Sequence, residues 1–201
     1  MTSQNNEFPP LFLPVDTDWI NNARIVNGHY RSEFYILGYK QAADILVNHV
    51  LSTGYDQDTL VYPIVFLYRH DLELLVKNII ENGAKYLDIE EKPKTNHYLD
   101  TLWTTAKGII NKIWEEKIWE EGESYQELEI DHYIAEFIKI DKSSQAFRYH
   151  KDKEGKEFLE LTEIINIQHF SDCINKISIY LEGVSAAIYH YLETQKDSDY
   201  M

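Results

Sequence analysis

Hydrophobic residues recur every three or four positions along most of this 201-residue chain, which is the spacing of an α-helix that buries one face. The pattern predicts a first helix from about Ser32 to Thr53. A second helix is predicted in the stretch LVYPIVFLYRHDLELLVKNII, with Asp58 and Thr59 as caps and an end at Gly83. Because this stretch is apolar on most sides, we expect it to form the buried centre of a bundle.

Three more helices are predicted in the second half of the sequence. Thr95 or Asn96 caps the third, whose apolar residues form one continuous stripe: Leu99, Leu102, Ala106, Ile109 and Ile113. The sequence SYQE at 124–127 is a capping box that begins a fourth helix, which ends near Ile140. The last helix has the most regular pattern, a seam with alternating spacings of three and four: Ile167, Phe170, Ile174, Ile177, Leu181, Val184, Ile188 and Tyr191.

Together these elements predict an all-α fold, an up-and-down bundle of about five helices in a single domain over residues 1–201. Residues 1–20 contain three prolines and no steady period, so they are predicted to form an N-terminal arm. Within residues 146–161, two short extended stretches flank KDKEG, which predicts one small β-hairpin inserted in the bundle.

The composition narrows the class of protein. A hydrophobic fraction of 44% supplies a core, and the single cysteine, Cys173, excludes an internal disulfide. No apolar run reaches the roughly 18 residues of a membrane span, and MTSQNNEFPP lacks the pattern of a signal peptide. We therefore expect a cytoplasmic protein with no membrane partner. The sequence has no Gly-rich phosphate loop, HExxH motif or paired cysteines, so no cofactor or metal is expected.

The formal net charge of −15 disfavours general nucleic-acid binding, because an acidic surface repels phosphate backbones. The charge is uneven, however. Between Lys139 and Lys156, six basic residues outnumber three acidic ones. This segment is either a local basic patch on an acidic body or a set of solvated charges in a loop.

Four of the polar residues on the largely apolar second helix are within reach of one another. Glu73 is four residues from both Arg69 and Lys77 and three from His70, so its carboxylate can reach each of them. In a functional interpretation, Glu73 orients His70 as a general base and Arg69 binds a phosphate. In a structural interpretation, the same residues form a buried ion-pair network, since buried charges must be paired.

A second group of polar residues is brought together by the predicted topology. If the helices alternate in direction, six Arg and His residues share one end of the bundle: Arg24, His29, Arg31, His97, Arg148 and His150. Cleaving RNA without a metal requires a base for the ribose 2′-hydroxyl and cations for the developing phosphorane charge. His and Arg are the side chains suited to these roles near neutral pH.

Aromatic residues add to this second group, since Phe147 and Tyr149 are interleaved with basic residues such as Lys151 and are suited to stacking on a base. The alternative is that any bundle end collects polar residues and that His97 only begins its helix. Arg69 lies about 20 Å from the predicted end of its own helix. The Arg69 group and the His97 group are therefore not expected to share a site unless the long loop between the second and third helices shifts the third helix.

Three stretches of the sequence, YPIVFLYRHDLELLVKNII (62–80), HYLDTLW (97–103) and FRYHKDKEG (147–155), resemble bacterial proteins of the HEPN-like helical superfamily. The resemblance implies a helical bundle that is often dimeric and, in many members, a metal-independent ribonuclease of toxin–antitoxin or antiviral systems. Active members carry an Arg, four to six residues and then a His on a late helix. The match here, from Arg24 to His29, lies before the first predicted helix. Inactive relatives bind nucleotides or partner proteins.

Three functions from different classes follow from these observations. The first is a HEPN-like endoribonuclease of a toxin or antiphage-defence system. Its candidate catalytic residues are His97, Arg148, His29, Arg69, His70 and Glu73. Its candidate RNA-binding residues are Arg24, Arg31, Phe147, Tyr149 and Lys151. The second is a catalytically inactive helical module that binds RNA, a nucleotide or a protein, and the third is an acidic scaffold for a basic protein partner. Whether the chain is an enzyme stays open at the level of sequence.

We predict a homodimer, because the seam of the last helix is longer than one bundle needs and a two-fold interface is the commonest closed solution. Light scattering at micromolar concentration is expected to give twice the monomer mass of 23.8 kDa. A monomer mass at and above that concentration would contradict the prediction.

Overall fold

Five α-helices and one short 3-10 helix make up most of the computed structural model, which describes residues 12, 14, 16–25, 28, 31–91, 93, 95–116, 125–160, 162 and 164–199. The 3-10 helix is Asp16–Asn21, and the α-helices are α1 (Arg31–Thr53), α2 (Gln57–Tyr86), α3 (Leu99–Glu116), α4 (Tyr125–Asp141) and α5 (Ile167–Asp199). Helices hold 74% of the described residues, which confirms the all-α prediction. The chain divides into two compact units, residues 1–31 and 32–201.

Helix α2 is the centre of the bundle, as its apolar sequence predicted. Three consecutive residues, Asp71, Leu72 and Glu73, are all buried. Consecutive helical positions lie about 100° apart, so other elements cover α2 on most sides. Its main neighbours are α3 and α5. None of the described helices combines sufficient length with a sufficiently apolar run to cross a bilayer.

Helix α3 runs in the same direction as α2. Arg69 in the middle of α2 donates a hydrogen bond to the carbonyl of His97, just before α3. Further along, Ile109 of α3 packs against Gly83 near the end of α2. The up-and-down arrangement is therefore wrong for this step, because the chain is back beside the middle of α2 when α3 begins.

The other helices alternate as expected around this parallel pair. Helix α4 is antiparallel to α3, since the N–H of Leu99 donates to the Lys142 carbonyl at 3.0 Å and Trp103 Nε1 donates to Asp131 Oδ1 at 2.7 Å. Helix α5 is antiparallel to α4 and runs parallel to α2, as the paired contacts Tyr68–Ser171 and Asn78–Ser185 indicate. Helices α2, α3 and α5 thus point one way, and α1 and α4 point the other way.

The seam of α5 is buried inside the chain. Ile174, Ile177, Leu181 and Ile188 are each at most 2% exposed, because the seam packs against α2 and α4. It therefore gives no argument for a second chain. The homodimer stays a prediction that rests on the resemblance alone.

The β-hairpin predicted for residues 146–161 is not found among the described residues. The segment contains a single isolated bridge between Lys151 and Glu157. The Asp152 side chain holds the turn instead, because its Oδ1 accepts hydrogen bonds from the N–H groups of Glu154 and Lys156, both at 2.9 Å. Two backbone hydrogen bonds also cross the turn, from the N–H of Asp152 to the Lys156 carbonyl at 2.9 Å and from the N–H of Phe158 to the His150 carbonyl at 3.1 Å, but among the described residues they do not extend into a strand ladder.

A polar layer lies between α1, α2 and α5. The Tyr68 hydroxyl donates to Asp44 Oδ1 at 2.6 Å. Lys40 Nζ donates to Asp44 Oδ2 at 3.0 Å and to Asn175 Oδ1 at 3.1 Å. The Tyr68–Asp44 bond joins α1 to α2 and the Lys40–Asn175 bond joins α1 to α5, so these two hydrogen bonds fix α1 on the other two helices.

Asp71 is the exception in this layer. Its side chain is fully buried, and neither carboxylate oxygen accepts a well-formed hydrogen bond from a described residue. Burial raises the pKa of Asp71 to about 7. The Lys40 charge opposes the rise, whereas the carboxylates of Glu182 and Asp44 add to it. Asp71 is therefore a buried acid that exchanges its proton near neutral pH.

The close packing of α2 against α3 at Gly83 predicts how a larger side chain at this position would affect stability. The sequence pattern placed the end of α2 at Gly83, but the helix continues to Tyr86, and a methyl group on Gly83 would overlap Ile109 Cγ2. Gly83→Ala is therefore expected to lower the free energy of unfolding by about 1–3 kcal/mol, although alanine favours a helix. Gly108→Ala on α3 is the control, because its added Cβ would meet nothing within 4 Å. The control should be stabilised by roughly 1 kcal/mol in urea denaturation, and equal behaviour of the two variants would contradict the close packing.

The raised pKa of Asp71 predicts that the free energy of unfolding depends on pH. Its folded pKa of about 7 lies above the ordinary value of 3.8, so the folded state holds the proton more tightly than the unfolded state does. The stabilisation that comes from this tighter proton binding is fully present below the pKa of Asp71 in the unfolded state. It is lost as the pH rises to the folded-state pKa of about 7. Thermal unfolding of Asp71→Asn should lack this decline, so the variant gains most over the wild type at pH 8. Asp172→Asn, at an exposed position of α5, should follow the wild-type curve, and an Asp71→Asn curve parallel to it would contradict the assignment.

Candidate functional site

The middle of α2, the residues before α3 and the residues after α4 meet around a cavity of about 480 Å³, which we call the His97 cavity. Its lining residues are Tyr39, Phe66, His70, Glu73, Asn96, His97, Tyr98, Ser143, Ser144, Gln145, Arg148 and Tyr149. They come from both polar groups that the sequence singled out. The two groups share one site because the parallel placement of α3 brings His97 alongside the middle of α2, which is the shift of the third helix that the sequence prediction allowed as the exception.

Arg69 ties three elements together behind the cavity. Its side chain is 0% exposed. Nη2 donates to the His97 carbonyl at 3.0 Å, and the guanidinium also donates to the carbonyls of Asp141 and Lys142, both at 3.4 Å. The free carbonyls at the end of a helix favour a cation. Arg69 therefore caps α4, and its burial and its partners leave it unavailable to a phosphate.

The Glu73 carboxylate is buried and accepts hydrogen bonds from three donors. Oε1 accepts from Lys77 Nζ at 2.7 Å and from His97 Nδ1 at 2.8 Å, and Oε2 accepts from Arg69 Nη1 at 3.3 Å. Burial by itself would raise the pKa of Glu73, but the hydrogen bonds from Lys77 and His97 and the charges of Lys77 and Arg69 outweigh it. The pKa of Glu73 is therefore held below its usual value, and the carboxylate is ionised at neutral pH.

His97 is held in one orientation by Glu73. An ionised carboxylate only accepts hydrogen bonds, so Nδ1 of His97 carries the proton in their 2.8 Å contact. In the neutral ring, Nε2 is then the unprotonated nitrogen. The His97 side chain is 74% exposed, so it can meet a ligand in the cavity. A carboxylate-oriented imidazole with an accessible Nε2 is suited to general base catalysis.

His70 lines the same cavity in a different state. Its ring centroid lies 4.3 Å from that of Tyr39 and 6.0 Å from that of Phe66. Burial lowers the pKa of His70, and although Glu73 opposes this effect, the neighbouring cations add to it. His70 is therefore neutral at neutral pH and forms part of an aromatic wall.

Arg148 is an exposed cation at the edge of the cavity. Its guanidinium carbon lies 5.3 Å from the Phe66 ring centroid and 5.2 Å from the Tyr149 ring centroid, and Nη2 donates to the Tyr149 hydroxyl at 3.3 Å. No carboxylate of a described residue forms an ion pair with it. Stacking on the two rings orients the guanidinium and leaves N–H donors for an anion.

The other RNA-binding candidates of the 147–151 stretch lie outside the His97 cavity. Phe147 is only 6% exposed and belongs to the hydrophobic core, so its ring is not available to stack on a base. Lys151 is exposed and pairs with Glu157 at 3.5 Å. His150 lines a neighbouring cavity.

The N-terminal candidates belong to the unit of residues 1–31. Within that unit, the guanidinium carbon of Arg24 lies 5.3 Å from the Trp19 ring centroid. The N–H of Arg31 donates to the Gly28 carbonyl at 3.2 Å. His29 lies outside the described residues, so the Arg24–His29 match stays a prediction.

Sequence reasoning missed the aromatic wall of the His97 cavity. Phe66 lies four residues before His70, and helical spacing therefore placed both on one face of α2. Tyr39 had no comparable signal, because its position depends on how α1 docks on α2.

Among the residues that the structure describes, no group of three or more His, Cys, Asp or Glu side chains is arranged to hold a metal ion. Comparisons of the chain with protein-family models, with curated proteins and with solved structures find no match. The HEPN-like resemblance therefore stays a prediction.

Glu73 is predicted to stabilise the fold through its charge. Glu73→Gln should lower the free energy of unfolding at pH 7 by about 3–5 kcal/mol, because it breaks the buried ion pair with Arg69 and leaves Asp141 as the remaining carboxylate that acts on this guanidinium. The pKa of Glu73 is lower in the folded state. Its stabilisation is therefore present above the unfolded pKa and is lost as pH falls through the folded one. Urea denaturation should show a smaller difference between wild type and variant at pH 3 than at pH 7.

The matched control for Glu73 is Glu81→Gln on the same helix. Glu81 also pairs with a lysine four residues away, Lys85, at 3.0 Å, but both side chains are exposed. Its loss should change stability by less than about 0.5 kcal/mol. A Glu73→Gln variant as stable as Glu81→Gln would contradict the structural role of the Glu73 carboxylate.

Proposed function

We propose that this protein binds single-stranded RNA through the His97 cavity and cleaves it there without a metal ion. The main support is one juxtaposition: an exposed imidazole oriented by a buried carboxylate and an unpaired guanidinium line the same cavity. RNA cleavage by internal attack requires a general base and cations that bind the phosphate as its charge develops. His97 and Arg148 have the chemistry of these two roles.

The proposed reaction uses the 2′-hydroxyl of the RNA as the nucleophile. Nε2 of His97 takes the hydroxyl proton, and the 2′ oxygen forms a bond to the adjacent phosphorus. The bond between phosphorus and the 5′ oxygen of the next nucleotide breaks, the leaving oxygen takes up a proton from water, and the hydroxide that remains takes the proton from the His97 imidazolium. The products carry a 2′,3′-cyclic phosphate and a 5′-hydroxyl. Glu73 stabilises the imidazolium that forms, and Arg148 donates hydrogen bonds to the phosphoryl oxygens.

The surroundings of the cavity suit a single strand. Tyr98 and Tyr149 are about half exposed at its edge, and unpaired bases stack on such rings. The net charge of −15 makes most of the remaining surface repel a phosphate backbone. The number of phosphate contacts is therefore small, and binding through Arg148 weakens as salt rises.

Binding of RNA without cleavage is the second candidate function. The state of His70 favours it, because a lowered pKa keeps His70 neutral and, among the described residues that line this cavity, leaves His97 as the one exposed imidazole. The protein would then be a binding module of the kind that the inactive HEPN-like relatives represent. A role in a toxin or antiphage-defence system is a further prediction that the resemblance supplies.

His97→Ala is predicted to lower the rate of RNA cleavage by a factor of about 10²–10⁴, the usual contribution of a general base. The rate is measured on total cellular RNA in the presence of a chelator, and the new ends are tested for a cyclic phosphate. His190→Ala, at an exposed position of α5 outside the cavity lining, should keep the wild-type rate. Cleavage that is unaffected by His97→Ala would contradict the assignment of the base.

Arg148→Ala is predicted to weaken the binding of an unstructured RNA oligonucleotide. It should also reduce the slope of the logarithm of the binding constant against the logarithm of the salt concentration by the contribution of about one phosphate contact. Lys153→Ala removes an exposed cation from the same segment and should have a much smaller effect. Intact RNA together with binding that needs Arg148 would select the second candidate function. A wild type that neither cuts RNA nor binds it in a salt-dependent manner would contradict both.

A further inference from the structure

A second cavity, of about 710 Å³, adjoins the His97 cavity, and the two share Arg148 and Tyr149 in their linings. It lies between the start of α2 and residues 146–165, and we call it the Tyr62 cavity. We propose that the Tyr62 cavity binds a guanine base of the RNA strand whose phosphate lies in the His97 cavity. This inference rests on the proposed function, and it adds base selectivity to it.

The carboxylates that line the two cavities differ in number and exposure, and this difference suits a nucleotide, which has a charged phosphate and a neutral base. The lining of the His97 cavity contains one carboxylate, Glu73, which is buried and neutralised by Arg69 and Lys77. The lining of the Tyr62 cavity contains two exposed carboxylates, Asp58 and Glu157. An anion is repelled from the second cavity and attracted to the first. A phosphate bound at the shared Arg148 therefore leaves the neutral base for the Tyr62 cavity.

The walls of the Tyr62 cavity suit a flat ring. Tyr62 and Tyr149 are about half exposed and come from two different elements, and apolar side chains such as Phe158 complete the lining. Base–aromatic stacking is a general source of affinity for single strands. Leu159 in the same wall has φ of +63°, a conformation that is rare for a bulky side chain. Strain of this kind is commonest at functional sites.

The two carboxylates decide which base fits. Asp58 has no hydrogen bond or ion pair with a described residue, and Glu157 has only the long 3.5 Å contact between its Oε1 and Lys151. An ionised carboxylate only accepts hydrogen bonds, so it needs donors on the base edge. Guanine presents two adjacent donors, N1–H and the N2 amino group. Adenine, cytosine and uracil each place an acceptor beside their donor, and that acceptor would face a carboxylate oxygen.

The inference is tested with the full-length protein and four probes, the ribonucleoside 3′,5′-bisphosphates of guanosine, adenosine, cytidine and uridine, whose affinities are measured by calorimetry. Each probe carries a phosphate on both sides of the ribose, so the direction of the strand does not matter. The guanosine probe is expected to bind about 10- to 100-fold more tightly than the uridine probe, the range of charged hydrogen bonds. Asp58→Asn and Glu157→Gln should each reduce this preference.

Two controls separate the inference from the proposed function. Glu160→Gln removes a charge from an exposed position of the same segment, outside the lining of the Tyr62 cavity, and should keep the guanosine preference. Arg148→Ala should weaken all four probes by a similar factor. If the four probes bind equally but still need Arg148, the guanine site is overturned and the proposed function stands.

The remaining outcomes are equally decisive. Preference for a different base, or a guanosine preference that survives both carboxylate substitutions, overturns the guanine assignment. If no probe binds and RNA binding does not respond to Arg148→Ala or to salt, the proposed function fails and the guanine site fails with it.

Discussion

The Arg69 guanidinium lies wholly buried in the middle of α2, where it connects three elements that are distant in sequence. It contacts Glu73 on its own helix, the carbonyl of His97 before α3, and the carbonyls of Asp141 and Lys142 at the end of α4. An arginine keeps its proton in the protein interior, and an unpaired buried charge costs several kcal/mol. Any packing that buries Arg69 must therefore supply these acceptors. The parallel course of α3 and the antiparallel course of α4 are the arrangement that does so.

The same network creates the candidate site. Glu73 neutralises Arg69 and Lys77 and still accepts a hydrogen bond from His97. Its carboxylate is thus shared between a structural role, which holds the bundle, and an orienting role, which fixes the tautomer of an exposed imidazole. Because the two roles cannot be separated at Glu73, functional evidence has to come from His97 and Arg148, whose exposed side chains lie at the edge of the network.

The helices could be predicted from the sequence because their apolar residues repeat with the helical period, and α1 agrees with its predicted limits to within one residue. The contacts of Glu73 with Arg69 and Lys77 could be predicted for the same reason, since they depend only on spacing within one helix. The contact with His97 could not, because the direction of α3 depends on the return of residues 87–98. The hairpin prediction failed because the turn around Asp152 has the sequence signal of a hairpin, whereas the described residues on its two sides form a single isolated bridge.

The acidic composition is compatible with a phosphate site because position matters more than the sum of charges. A formal charge of −15 repels a polyanion at long range, so the surface opposes binding outside the cavity that Arg148 borders. Inside it, the one carboxylate of the lining is already engaged by two cations. Salt screens the long-range repulsion and the proposed contact of Arg148 with a phosphate alike, whereas the proposed stacking of bases on Tyr149 and Tyr62 is expected to be much less sensitive to salt. The proposed RNA binding is therefore expected to be weak and to be confined to this one site, because both follow from the same charge distribution.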